Sequence, residues 1–201
     1  MKVIGLTGGV GSGKSTVSHF LAELGVVIAN ADEVGHEAFK LDTEIWHQVV
    51  AAFGRQIITP DGNIDRKKLG NIVFGNADSL YRLNQIMHPR MYDMVKAQLE
   101  EYRRQGAIAV VLEAPLLLEA GWTSLVDEVW VTTALEATVL KRLEEGAGLS
   151  QAESLLRIRS QLSSAERVRR ADVIINTDCG LDELKARVTE LWKELELDTL
   201  S

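Results

Sequence analysis

The run Gly8-Gly9-Val10-Gly11-Ser12-Gly13-Lys14-Ser15 fits the spacing G-x-x-x-x-G-K-[ST], and few eight-residue patterns restrict a fold so strongly. An apolar stretch, Lys2–Leu6, precedes it, and Val17, Phe20, Leu21 and Leu24 after it share one helical face. The pattern therefore predicts strand, loop and helix in immediate succession. Glycines let successive N–H groups turn inward toward phosphate oxygens, and the new helix adds its first donors and the positive end of its dipole. Lys14 is placed to neutralise β- and γ-phosphates and the Ser15 hydroxyl to ligate Mg²⁺. Gly9, Val10, Gly11, Ser12, Gly13, Lys14, Ser15 and Thr16 are the candidate residues for binding a nucleoside triphosphate. A glycine turn that merely packs a helix on a strand does not account for Lys14 followed by Ser15 and Thr16.

Short apolar runs recur along the chain at Val26–Ala29, Ala107–Leu112, Glu128–Thr132 and Asp172–Asn176. They alternate with helical patterns and are too uniformly apolar for one face to be wet. Together with Lys2–Leu6 they predict an α/β fold with a five-stranded parallel sheet and helices on both faces. Roughly 75 residues separate Asn30 from Ala107, where a simple crossover needs about a dozen. That stretch reads as helices at Glu44–Phe53, Arg66–Phe74, Asp78–Gln85 and Met87–Gln105, with a turn at Thr59-Pro60-Asp61-Gly62. We read an inserted helical subdomain over about 31–105, which either carries the second substrate or is plain structural elaboration. A second irregular stretch, Glu144–Gln161, has Gly146 and Gly148 breaking one helix and a Ser150/Glu153 capping box starting the next. It reads as a lid over about 142–162.

The 201 residues suit one domain, and 46% hydrophobic content supplies a sizeable core. A formal net charge of -7 argues against a general nucleic-acid or membrane-surface binder. Cys179 is the only cysteine, so no intrachain disulfide forms, in keeping with a reducing, cytoplasmic setting. No apolar run approaches the length of a membrane span. A guanine-reading Asn-Lys-x-Asp sequence does not occur, and a motor or transport ATPase would be larger. A small kinase remains. Asp32, just past the second strand, is expected to face the same crevice as the loop. There it accepts the proton of an acceptor hydroxyl, or else caps a helix.

Taken in order, "GLTGGVGSGKSTV", "ADEVGHEAF", "IMHPRM", "LEAPLLLEAG", "RIRSQ" and "ADVIIN" resemble the dephospho-coenzyme A kinase family over nearly the whole chain. His88-Pro89 and Pro115–Glu119 are the discriminating segments. The resemblance implies a P-loop kinase core with a helical coenzyme-binding subdomain and a lid. The implied reaction is ATP-dependent phosphorylation of the ribose 3′-hydroxyl of dephospho-coenzyme A, with Mg²⁺ and ATP. It implies Lys14 and Asp32 as catalytic residues, with Asp32 the base. His88, Arg90, Pro115, Leu116 and Glu119 border the acceptor, and Asn176 lies at the adenine. Among the arginines, Arg142 and Arg157 are candidate lid cations. Asn30 and Gly146 stand where the family often has an aspartate and an arginine. The alternatives are a kinase for another small hydroxyl acceptor, such as a nucleoside, and a non-catalytic ATP-binding regulator. A monomer is the expected state, acting on ATP and dephospho-coenzyme A, with no nucleic acid and no membrane as partner.

Overall fold

The computed structural model describes residues 1–73 and 75–200, and the side chains of 1–73 and 75–195. Strands β1 (Lys2–Gly8), β2 (Val27–Asn30), β3 (Ala109–Glu113), β4 (Glu128–Thr133) and β5 (Val173–Asn176) form one sheet in the order β2-β3-β1-β4-β5. β1 lies parallel to β3 and β4, with Val3 opposite Val110 and Leu6 opposite Trp130, and β4 lies parallel to β5. The expected five-stranded parallel sheet with helices on both faces is thus found. Its centre is fully covered: Ile4, Leu6, Val111 and Trp130 are buried against α1 (Lys14–Glu23) and α9 (Leu181–Leu200) through Val17, Leu21, Leu184 and Val188. Each such aliphatic side chain contributes about 1.5–3 kcal/mol by leaving water. The edge strand β5 departs from the expected double coverage. Ile174 is exposed, because an edge strand has helices over only part of its surface.

The chain divides into two compact units, residues 1–29 with 99–201, and residues 30–98. The second unit holds α2 (Ala31–Ala38), α3 (Glu44–Phe53) and α4 (Arg66–Val73), with most of α5 (Ala77–Arg104). It has its own core, built from Ile45, Val49, Phe53, Ile57, Leu69, Val73 and Met87. α3 matches the sequence expectation residue for residue, because Thr43 caps it by accepting from the Trp46 N–H at 3.0 Å. The expected turn closes with the Gly62 N–H donating to the Thr59 carbonyl at 2.9 Å. The final residue of the helix expected over Arg66–Phe74, Phe74, lies outside the described residues.

Two expectations are corrected. The separate helices at Asp78–Gln85 and Met87–Gln105 are one helix, α5, with Pro89 in its interior. Proline there deprives the Gln85 carbonyl of a donor and costs about 3 kcal/mol. Apolar side chains on both sides of it, Leu83, Ile86, Met87 and Met91, pack on the unit's core and hold the helix through that defect. Gly146 does not break a helix either: α6 (Glu136–Ala147) runs through it and ends at Gly148, whose φ is 62°. The predicted capping box is present and starts α7 (Gln151–Arg159), and α8 (Ser164–Val168) follows. Among the described residues no helix is long and apolar enough to cross a membrane.

Candidate active site

The glycine-rich loop spans the end of β1 and the start of α1, and its geometry follows from its contacts with Thr132, Arg142 and Thr177. At Gly13, the N-cap of α1, φ is 85° and a Cβ would stand 3.0 Å from the Thr177 side chain. At Gly8 a Cβ would lie 2.2 Å from Thr132 Oγ1 and 2.7 Å from its carbonyl oxygen. Only glycine fits these positions without displacing neighbours. From below, the loop is braced through its carbonyls. Arg142 Nη1 donates to the Gly11 carbonyl at 3.2 Å and to Thr177 Oγ1 at 3.0 Å, Arg142 Nη2 donates to the Thr177 carbonyl at 2.7 Å, and Thr177 Oγ1 donates to the Ser12 carbonyl at 2.9 Å. Ser12 Oγ and Thr132 Oγ1 lie 2.7 Å apart and buried. With the Gly11 and Ser12 carbonyls taken by this bracing, the N–H groups not bonded within the protein are left for an anion.

The start of α1 has the same bias. No side chain caps it, and its first turn carries no acidic residue, whereas Asn30, Thr43, Ser150 and Ser163 cap α2, α3, α7 and α8. Uncapped N–H groups at a helix start favour an anionic ligand. Lys14 Nζ lies 3.0 Å from both the Gly8 and Gly9 carbonyls. Ser15 Oγ donates to Glu113 Oε1 at 3.3 Å, joining the loop to the end of β3.

Beyond β3, Pro115 and the exposed Leu116 lead to Glu119. Its carboxylate pairs with Arg167, which is 1% exposed, while the Glu119 side chain is 20% exposed although its backbone faces water. Arg167 Nη1 also reaches the Pro115 carbonyl at 3.3 Å and Thr7 Oγ1 at 3.4 Å, and its Nε reaches the Leu162 carbonyl at 3.4 Å. One buried guanidinium therefore fastens the end of β1, the segment after β3 and the base of α8. Beside it lies a cavity of about 370 Å³, lined among others by Gly9, Val10, Thr132, Arg159, Gln161 and Arg167. Arg157 does not line it. Asn176, the exposed last residue of β5, accepts from the Asp178 N–H at 2.9 Å.

The other sequence-selected residues lie in the helical unit. Asn30 caps α2 by accepting from the Asp32 N–H at 2.8 Å. Asp32 is thus a first-turn residue with an exposed carboxylate, and the capping role that it shared as an alternative belongs to Asn30. The Asp32 carbonyl lies 2.7 Å from His36 Nδ1. His88 is half-buried within α5, and burial holds its imidazole below the usual histidine range. Arg90 pairs with Glu44.

Sequence reasoning did not single out Thr132 or Gln161, nor the role of Thr177 in bracing the loop. A short polar residue at or just past the carboxyl end of a strand, as at Thr132 and Thr177, was the available signal, since its burial demands a partner.

The dephospho-CoA kinase family model matches residues 2–183. A dephospho-CoA kinase of Dehalococcoides mccartyi is 46% identical over 98% of this chain and 100% of its own length. Among solved structures, a Thermus thermophilus protein superposes with a TM-score of 0.81 at 28% identity, covering 96% of this chain and 97% of the other. The dephospho-CoA kinase of Campylobacter jejuni superposes at 0.73 and 25% identity, over 97% and 98% of the two chains.

Proposed function

The chain belongs to the dephospho-CoA kinase family, and on that premise we propose how its residues divide the reaction. The family's reaction transfers the γ-phosphoryl group of ATP to the ribose 3′-hydroxyl of dephospho-coenzyme A, the last step in making coenzyme A. The loop from Gly9 to Thr16 holds the donor phosphates through N–H groups, and Lys14 neutralises charge that spreads over the transferring group. Asn176 serves the adenine side.

Mg²⁺ suits the loop's donor set: one hydroxyl, Ser15, already bonded to one carboxylate, Glu113. Mg²⁺ commonly takes one or two protein oxygens and completes its shell with phosphates and water. When bound there it would offset charge on the β- and γ-oxygens.

The base is Asp32, which takes the proton of the acceptor hydroxyl as that oxygen attacks phosphorus. One observation supports this above the others. Asn30 performs the capping of α2, so capping does not account for the Asp32 carboxylate two positions later. His88, Arg90, Pro115 and Leu116 are assigned to the coenzyme, and the residues 30–98 unit to its binding. Glu119 acts on that side indirectly, by holding Arg167. Arg142 is committed to Gly11 and Thr177, so the mobile cation of the lid, α6 to α7, is assigned to Arg157 or its neighbour Arg159. A single cysteine supports a reducing cytoplasm as the setting, and we assign a monomer.

The test is an acceptor panel. Dephospho-coenzyme A, nucleosides and an acceptor-free control are each mixed with Mg²⁺ and ATP, and ADP is followed. ADP release that requires dephospho-coenzyme A and yields coenzyme A supports the reading. Release driven equally by nucleosides, or none with any acceptor, overturns it.

A further inference from the structure

The cavity beside the loop contains a contact that the proposed chemistry leaves unused. The Val10 N–H, one of the loop's donors, donates to Oε1 of Gln161 at 2.9 Å. That oxygen also stands 3.8 Å from the place a Cβ would occupy on Gly9. Gln161 follows the end of α7 and, like Gly9, Val10 and Arg159, lines the cavity. An uncharged acceptor from the lid therefore rests on the face of the loop that the phosphate chemistry needs.

We infer that Gln161 is a resident competitor for the nucleotide: its carboxamide oxygen uses a loop donor that a phosphate oxygen of bound ATP also uses, and so sets ATP affinity. The inference rests on the reading of the loop as the ATP site. An N–H makes one good hydrogen bond at a time, so a phosphate oxygen gains Val10 only as Gln161 leaves. Phosphate wins, because a charged acceptor makes a bond roughly twice as strong as a neutral amide does. The net worth of the bond that must be given up nevertheless weakens ATP by a factor of about two to ten.

The backbone beside Gln161 is anchored by contacts that do not involve its carboxamide. The next residue, Leu162, is held by its N–H donating to Glu119 Oε1 at 3.3 Å and by its carbonyl accepting from Arg167 Nε at 3.4 Å. Gln161 is half-buried, so the displaced group regains water. Removing it relieves competition without unfastening the segment. Gln161 is in this sense a positioning residue, acting on binding and not on the reacting atoms.

The test is calorimetric titration of Mg·ATP into the wild-type protein and three variants. Gln161→Ala removes the acceptor, and Gln161→Asn keeps the carboxamide but withdraws it by one methylene. Both should lower the Kd for ATP about two- to tenfold and lower the KM for ATP while kcat holds. Gln161→Glu places a negative charge beside the phosphates and should raise the Kd. A residue that only props up the lid would instead weaken ATP binding and lower the melting temperature together. An unchanged or raised Kd in both Gln161→Ala and Gln161→Asn overturns the inference. The titration needs no acceptor, so it is read separately from the acceptor panel. Wild-type protein that binds ATP but never phosphorylates dephospho-coenzyme A would overturn the proposed reaction and leave this result standing.

Discussion

Replacing Arg167 by methionine should be among the most costly single changes in the sheet-containing unit. The side chain is 1% exposed and its ion-pair partner Glu119 is 20% exposed. Its other acceptors are the Pro115 and Leu162 carbonyls and Thr7 Oγ1. Methionine fills similar volume, so the loss is electrostatic and hydrogen-bonded, with little cavity cost. Breaking one side of a buried pair costs about 3–5 kcal/mol. Water reaching the Glu119 side chain lowers this, so about 3 kcal/mol is expected, a large share of a typical 5–15 kcal/mol total.

A cycle separates the pair from mere packing. Arg167→Met, Glu119→Leu and the double variant are unfolded in urea, and stabilities are extrapolated with the m-values compared. The double variant has no unpaired buried charge. It should therefore be no less stable than Arg167→Met alone, giving a coupling energy of about 2 kcal/mol or more. A loss below about 1 kcal/mol for Arg167→Met, or losses that simply add, would show that Arg167 does not fasten the site as described.

Three further outcomes are expected. Gly8→Ala places a Cβ within 2.2 Å of Thr132 Oγ1 and should cost about 1–3 kcal/mol and weaken ATP binding, read by urea unfolding and titration. Pro89→Ala returns a donor to the Gln85 carbonyl and should raise stability by about 1–3 kcal/mol; no gain in thermal melts would show that packing already offsets the defect. Burial lowers the His88 pKa from its ordinary 6.5, so the unfolded chain takes up this proton first as pH falls. Stability should drop as pH falls below 6.5 and level off once the folded imidazole also titrates; His88→Gln should flatten this part of a melting-temperature profile.

The sheet and the loop were legible because period, composition and spacing agree there. All five strands fall within about two residues of their expected ends, since a buried parallel strand needs an unbroken apolar run. The Ser150/Glu153 box was legible because capping is a local interaction. What escaped the sequence depends on neighbours distant in the chain. Pro89 reads as a helix start, yet the apolar side chains around it keep α5 continuous. Gly146 reads as a breaker, yet a lone glycine costs only about 1 kcal/mol, and α6 runs on to Gly148. Arg142 reads as a lid cation by its position, but the loop carbonyl of Gly11 and the Thr177 segment, far away in sequence, engage its guanidinium. The choice at α2 turned on one residue. Asn30 ends β2 directly before the helix, so it takes the cap and frees the carboxylate two positions later.

That carboxylate carries the proposed proton transfer. The decisive measurement is steady-state kinetics of Asp32→Asn with dephospho-coenzyme A, alongside a titration of the same variant with Mg·ATP. The variant keeps the shape of the side chain and its place in the first turn of α2, and removes only the base. Turnover should fall about 10²–10⁴-fold, with the Kd for ATP unchanged. Turnover near the wild-type value would contradict the assignment of Asp32 and, with it, the proposed path of the proton.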